Sequence, residues 1–197
     1  MKMKIAMLAI AMIMVGGTPV LAATQSQGQV LLKGFYTPGI SDDIKQFHMG
    51  TGVVTTDGYL ALLGYHGIQV RVREKDAVRL LLGEYFDTGG LSGMASVYYI
   101  MQINDNNSIL TDVEYWHPIL GKRVPQIYGW TSWDMKVADK ATFGVATEQI
   151  VDVGGAWQSA AIGPTFGLGN MYLWANYDFR PAQPDGKVML RLVHIFQ

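Results

Sequence analysis

The residues with the greatest chemical reach in this sequence are charges set within stretches of alternating apolar and polar residues. They are Arg71, Arg73, Arg79, Glu84, Asp112, Glu114, Asp134, Lys136, Glu148, Asp178, Arg180 and Arg191. Both signs are present. Apolar residues interleave with them, so the pattern predicts one apolar wall and one ion-paired wall. The expected chemistry is a salt-bridged interior, with a charged binding cleft as the functional alternative. The most concentrated group runs from Asn170 to Arg180, where Tyr172, Trp174, Asn176, Asp178 and Arg180 share a face. Two aromatic rings beside amide and carboxylate groups have the makings of a site that stacks a sugar or another ring. With Glu114, Asp134 and Arg191 these form the set of candidate lumen or binding residues.

Other chemistries find less support. His48, His66, His117 and His194 are the only histidines, and none has a metal-ligand spacing to another. There is no cysteine, so a thiolate zinc site, a disulfide framework and a lipidated N-terminal Cys are all excluded. No cofactor is expected. Ser132 and Ser159 lie in strand-like stretches without a nucleophile-elbow sequence around them. Gly50-Thr51-Gly52 and the glycines from Gly163 to Gly169 do not open a helix after a strand, so a phosphate cradle fails on context. Acidic residues outnumber basic ones, 16 to 15, and no basic cluster points to nucleic acid.

These side chains are positioned by strands. Period-2 alternation runs through Ile68–Arg73, Leu110–His117, Trp130–Val137 and Asn170–Arg180. Between such stretches stand compact turn sequences: Asp57-Gly58, Asp87-Thr88-Gly89-Gly90, Asn104-Asp105-Asn106-Asn107, Ala138-Asp139-Lys140 and Gly154-Gly155. Pro118 to Pro125 reads as a longer loop. Gly39–Phe47, with Ser41 before Asp42-Asp43, is the one short helix candidate. The fold expected is all-β: an antiparallel up-and-down barrel of about 8–10 strands, of the transmembrane kind.

The N-terminus carries Lys2 and Lys4, an apolar run from Ile5 to Val15, then Gly16-Gly17-Thr18-Pro19-Val20-Leu21-Ala22. That is the pattern of a secretory signal peptide cut after Ala22, and its apolar run is shorter than the roughly 20 residues a membrane helix needs. The expected organisation is a signal peptide at 1–22, an N-terminal arm or first strand at 23–48, and a barrel at 49–197. Without Lys2 and Lys4, 13 basic residues face 16 acidic ones.

Charged residues make up 16% of the chain, against about 25% in ordinary soluble domains. Leu91–Ile103, Gln126–Val137, Trp157–Leu168 and Asn170–Arg180 reach the roughly 9–11 residues that a bilayer-crossing strand requires. Aromatics at Tyr85-Phe86, Tyr115-Trp116, Tyr128, Trp130, Trp157 and Phe179 have the placement of interfacial girdles. The chain also ends within a strand, Lys187 to Gln197, that carries the aromatic Phe196. In these respects it resembles the small bacterial outer-membrane β-barrels, departing from them in that Gln197 follows Phe196. The resemblance implies outer-membrane lipid and the barrel assembly machinery as partners, and envelope polysaccharide or secretion partners as further ones. It also implies a structural, binding or accessory envelope role. The alternatives are a soluble periplasmic barrel binding an apolar or saccharide ligand, and an outer-membrane enzyme that modifies lipid or lipopolysaccharide.

Overall fold

A computed structural model describes residues 25–178 and 187–196. Eleven strands close into one barrel: β1 (Gln25–Tyr36), β2 (Ile44–Thr55), β3 (Leu60–Arg71), β4 (Ala77–Asp87), β5 (Gly90–Asn104), β6 (Asn107–Gly121), β7 (Gln126–Ala138), β8 (Ala141–Asp152), β9 (Trp157–Leu168), β10 (Met171–Asp178) and β11 (Lys187–Phe196). Consecutive strands pair antiparallel, and β11 returns to β1 in parallel register, Gln25 opposite Lys187 and Gly34 opposite Phe196. The strand count therefore exceeds the 8–10 expected, and one seam is parallel. The parallel seam follows from the odd number. After ten reversals β11 runs in the same direction as β1, so β1 begins at one end of the barrel and β11 finishes at the other.

The extra strands come from the N-terminal part. Gln25–Tyr36 pairs with β2 as well as β11, and Ile44–Phe47, part of the helix candidate, pairs with β3. Val30, Leu31 and Leu32 are apolar on both faces of β1, so the alternation that marks a half-wet strand is erased there. Pro118 is a second correction. It lies in β6 opposite Ser92, where the register slips between Leu91 and Ser92, so the missing N–H falls where the ladder is already interrupted.

Tight turns join most strands. Gly169, with φ of 59°, sits in the reversal between β9 and β10, a left-handed conformation that glycine adopts without Cβ penalty. Ten of the eleven strands have ten residues or more, enough to cross a hydrocarbon layer when tilted.

Side chains separate sharply between the two faces. Outside lie Leu62, Leu80, Leu82, Phe86, Val97, Val113, Trp133, Val145, Ile162, Phe166, Leu173 and Tyr177, all large, apolar or aromatic, and exposed. Inside, β2 to β5 bring together Phe47, Met49, Tyr65, Leu81, Tyr85, Met94 and Tyr98 as an aromatic and aliphatic core. Strands β6 to β10 bury Asp112, Glu114, Ser132, Glu148, Thr165, Trp174, Asn176 and Asp178. The lumen thus has an apolar side and a polar side.

Candidate functional site: the lumen and one barrel mouth

The polar side of the lumen is organised around buried charges whose partners come from distant strands. Arg191 on β11 donates to Glu148 on β8 at 2.7 Å and to Gln29 on β1 at 2.8 Å, and its guanidinium stands 4.6 Å over the Trp174 ring. Glu114 accepts from the Tyr65 hydroxyl at 2.7 Å and from the Trp116 indole N–H. Asp112 accepts from Ser96 at 2.9 Å. Buried carboxylates are tolerable only with such donors, because an unpaired one loses its hydration without replacement.

Above Glu114, three rings form a stack, Tyr85–Trp116–Tyr128, with centroids 5.1 and 5.5 Å apart and planes within 16° and 10° of parallel. Arg123, from the connection between β6 and β7, pairs with Asp87 and covers the Tyr85 ring at 5.1 Å. Asp87 also accepts from Tyr59 and Tyr85. This stack corrects the girdle expectation. Tyr85, Trp116 and Tyr128 line the lumen, whereas Phe86, Tyr115 and Trp157 project outward. Strand alternation decides it: within Tyr85-Phe86 and Tyr115-Trp116, one member must point each way.

The charges singled out from the sequence divide similarly. Glu114, Asp134, Asp178 and Arg191 face the lumen, and so do Tyr172, Trp174 and Asn176. Arg180 lies outside the described residues. Glu84 does not point inward: it is exposed on the outer wall of β4, because its parity is that of Leu82 and Phe86. Arg71 pairs with Asp43 at the strand end at 2.6 Å, and Arg73 lies in the turn beyond it.

Asp134 and Tyr172 line a second feature. At the barrel end where β11 finishes, the turns between β5 and β6, β7 and β8, and β9 and β10 surround an open cavity of about 710 Å³. Asp134 forms part of its wall, accepting from Ser132 at 2.9 Å and from Thr165 at 3.0 Å. The second bond reaches from β7 across β8 to β9, and Gly144 makes the crossing possible. A Cβ there would stand 2.7 Å from the Asp134 carboxylate and 2.8 Å from the Thr165 hydroxyl. At the rim, Lys136 pairs with Asp139 at 3.4 Å. Lys75 pairs with Asp105 at 2.6 Å, which holds the Asp105 carboxyl below its usual range and the Lys75 ammonium above its own.

The histidines are partnered in a way that spacing along the chain does not reveal. His48 on β2 and His66 on β3 are register partners, and their Nδ1 atoms lie 2.9 Å apart on the outer wall. Among the described residues no group of three or more His, Cys, Asp or Glu side chains is placed to hold a metal ion. The Ser132 hydroxyl donates to Asp134, and the hydrogen-bond partner of His117 is Tyr115, so neither forms a serine–histidine pair.

Among the described residues, the buried polar groups without a hydrogen-bond partner include the Trp174 indole N–H and both ends of the Asn176 amide. Gly163 lies beside Asn176, so close that a Cβ there would be 2.6 Å from the Asn176 Cα. Groups of this kind in a polar interior commonly hold ordered water. Compared with models of known protein families and with curated proteins, the chain finds no match.

Proposed function

We propose that this chain is an outer-membrane β-barrel, closed along its lumen by its own side chains, with a structural or binding role in the bacterial envelope. The observation that carries the reading is the inversion of polarity. The outer wall presents exposed leucine, valine, isoleucine and phenylalanine on strand after strand, while two ion pairs, Arg191–Glu148 and Arg123–Asp87, are buried on the lumen side and others lie at the strand ends and turns. In water such a wall would far exceed the few hundred Å² of contiguous apolar surface that monomeric soluble proteins carry. In lipid it is the expected exterior, and a closed sheet leaves no backbone group without a partner.

The signal-peptide pattern and the low charge content point to the same location. Lipid is then the partner of the outer wall, and β11, which carries Phe196, is the strand the assembly machinery would engage. A pore is the weaker reading because Tyr65, Tyr98, Trp174 and Arg191 occupy the lumen, as side chains do in narrow barrels.

Refolding into lipid vesicles tests the reading. The protein is expected to float with the vesicles, to migrate differently on gels before and after boiling, and to give no steady conductance across a planar bilayer. Recovery of folded protein in the aqueous fraction overturns the location, and discrete conductance steps overturn the closed lumen.

A further inference from the structure

We infer that the open mouth at the Phe196 end is a binding site for a neutral saccharide. The inference does not depend on where the barrel resides, since Asp134, Thr142 and Tyr172 line the cavity from the lumen side rather than from the outer wall. The cavity volume, about 710 Å³, falls within the roughly 300–1,000 Å³ usual for small-molecule sites.

Three features of the lining define the ligand. The first is a flat ring with its neighbour removed: Tyr172 lies against Gly167, where a Cβ would stand 2.9 Å from the ring and 2.3 Å from the Thr142 hydroxyl. The ring is thereby seated against bare backbone at the cavity wall, the arrangement a stacking platform requires. The second is a set of polar atoms with capacity left over. Each oxygen of Asp134 accepts one hydrogen bond from the protein and retains a lone pair, as carboxylate oxygens accept two. The Thr142 hydroxyl is buried against Tyr172, and Asn106 and Ser108, the latter the register partner of Asp134, supply further donors and acceptors beside it.

The third feature is charge balance. Asp134 and Asp139 stand against Lys136 and Lys140, and Asp105 is taken up by Lys75. A ligand of either sign gains little from such a site. A ring with one apolar face and several hydroxyls matches the platform, the carboxylate and the amide at once, and carries no charge.

The test uses the full mature chain folded in an amine-oxide detergent, because a maltoside would itself compete. Maltotriose and the trimer of N-acetylglucosamine serve as neutral probes and trigalacturonate as the anionic one, with binding followed by saturation-transfer NMR and intrinsic fluorescence. The expected result is saturable binding of a neutral trisaccharide with Kd of about 1 mM or lower. Tyr172→Ala and Asp134→Asn should each weaken it at least tenfold, and His48→Gln on the outer wall should leave it unchanged. Tyr172→Phe keeps the ring and should retain affinity, which keeps the test decisive if Tyr172→Ala does not fold. Saturation by neither neutral probe, tighter binding of trigalacturonate, or undiminished binding by folded Tyr172→Ala overturns the inference. None of these outcomes bears on whether the barrel sits in lipid.

Discussion

Replacing Leu82 with Arg is expected to destabilise the barrel by about 2–4 kcal/mol when unfolding is followed in lipid vesicles. Leu82 lies midway along β4 and is 70% exposed on the outer wall. For a protein surrounded by water, a charge at such an open position is nearly neutral, within about 0.5 kcal/mol. In a bilayer the guanidinium has to leave water or drag it into the hydrocarbon, and the cost depends on depth. Val97→Arg and Val113→Arg, midway along β5 and β6, should behave in the same way. Leu120→Arg, at the next-to-last residue of β6, should cost less, because it lies near the barrel rim. A flat response across all four positions would mean that the wall faces water.

The second large effect is expected inside. Arg191→Ala should cost about 3–5 kcal/mol, because it leaves Glu148 buried and charged without its counter-ion. The two side chains are 12% and 4% exposed, and the next donor to Glu148 is the Tyr128 hydroxyl at 3.4 Å. Arg191 also spans the parallel seam through Gln29 and reaches across the lumen to β8, so it ties the closing strand to the far wall. Arg191→Lys should recover only part of the loss, since a single ammonium cannot serve Glu148 and Gln29 while stacking on Trp174. The double variant Arg191→Met with Glu148→Leu should lie much closer to the parent than either single change, because it removes the buried charge together with its partner. Urea midpoints in vesicles measure these variants against the parent. Equal stability of Arg191→Ala and the parent would show that the pair contributes nothing.

Much of the architecture is legible in the sequence wherever the two faces of a strand differ in polarity. Asn170 to Asp178 reads as a strand with Trp174, Asn176 and Asp178 on one side because Leu173 and Tyr177 interrupt them at every second position. The same rule fails in β1, β2, β4 and the first half of β3. There the inner wall is itself apolar, with Leu31, Phe47, Met49, Tyr65 and Leu81 facing in, so inward and outward residues look alike and the first strands blur. Glu84 misleads for a related reason: charge suggests the lumen, but parity with Leu82 places it outside.

Partnership is the other part the sequence conceals. Arg191 and Glu148 are 43 residues apart, and Tyr85, Trp116 and Tyr128 come from three strands. His48 meets His66 only because β2 and β3 pair in one particular register. Register and closure are properties of the whole sheet, set by every turn and bulge at once. The division of the candidate residues into an Arg191 cluster and a separate Asp134–Tyr172 mouth emerges for the same reason. Tyr172 is the second residue of β10 and lines the mouth with Asp134, whereas Trp174, two residues further along, stacks against Arg191.

The most direct test of the polarity inversion uses two tryptophans of opposite parity. Trp133 is 41% exposed on the outer wall, and Trp174 is 4% exposed in the lumen. Variants that keep only one of these indoles, the other tryptophans replaced by Phe, would be folded into vesicles of lipids brominated along the acyl chain, which quench fluorescence on contact. The emission of Trp133 should be strongly quenched, while that of Trp174 stays at its level in unbrominated lipid. Folded protein in which Trp133 also escapes quenching would contradict the account.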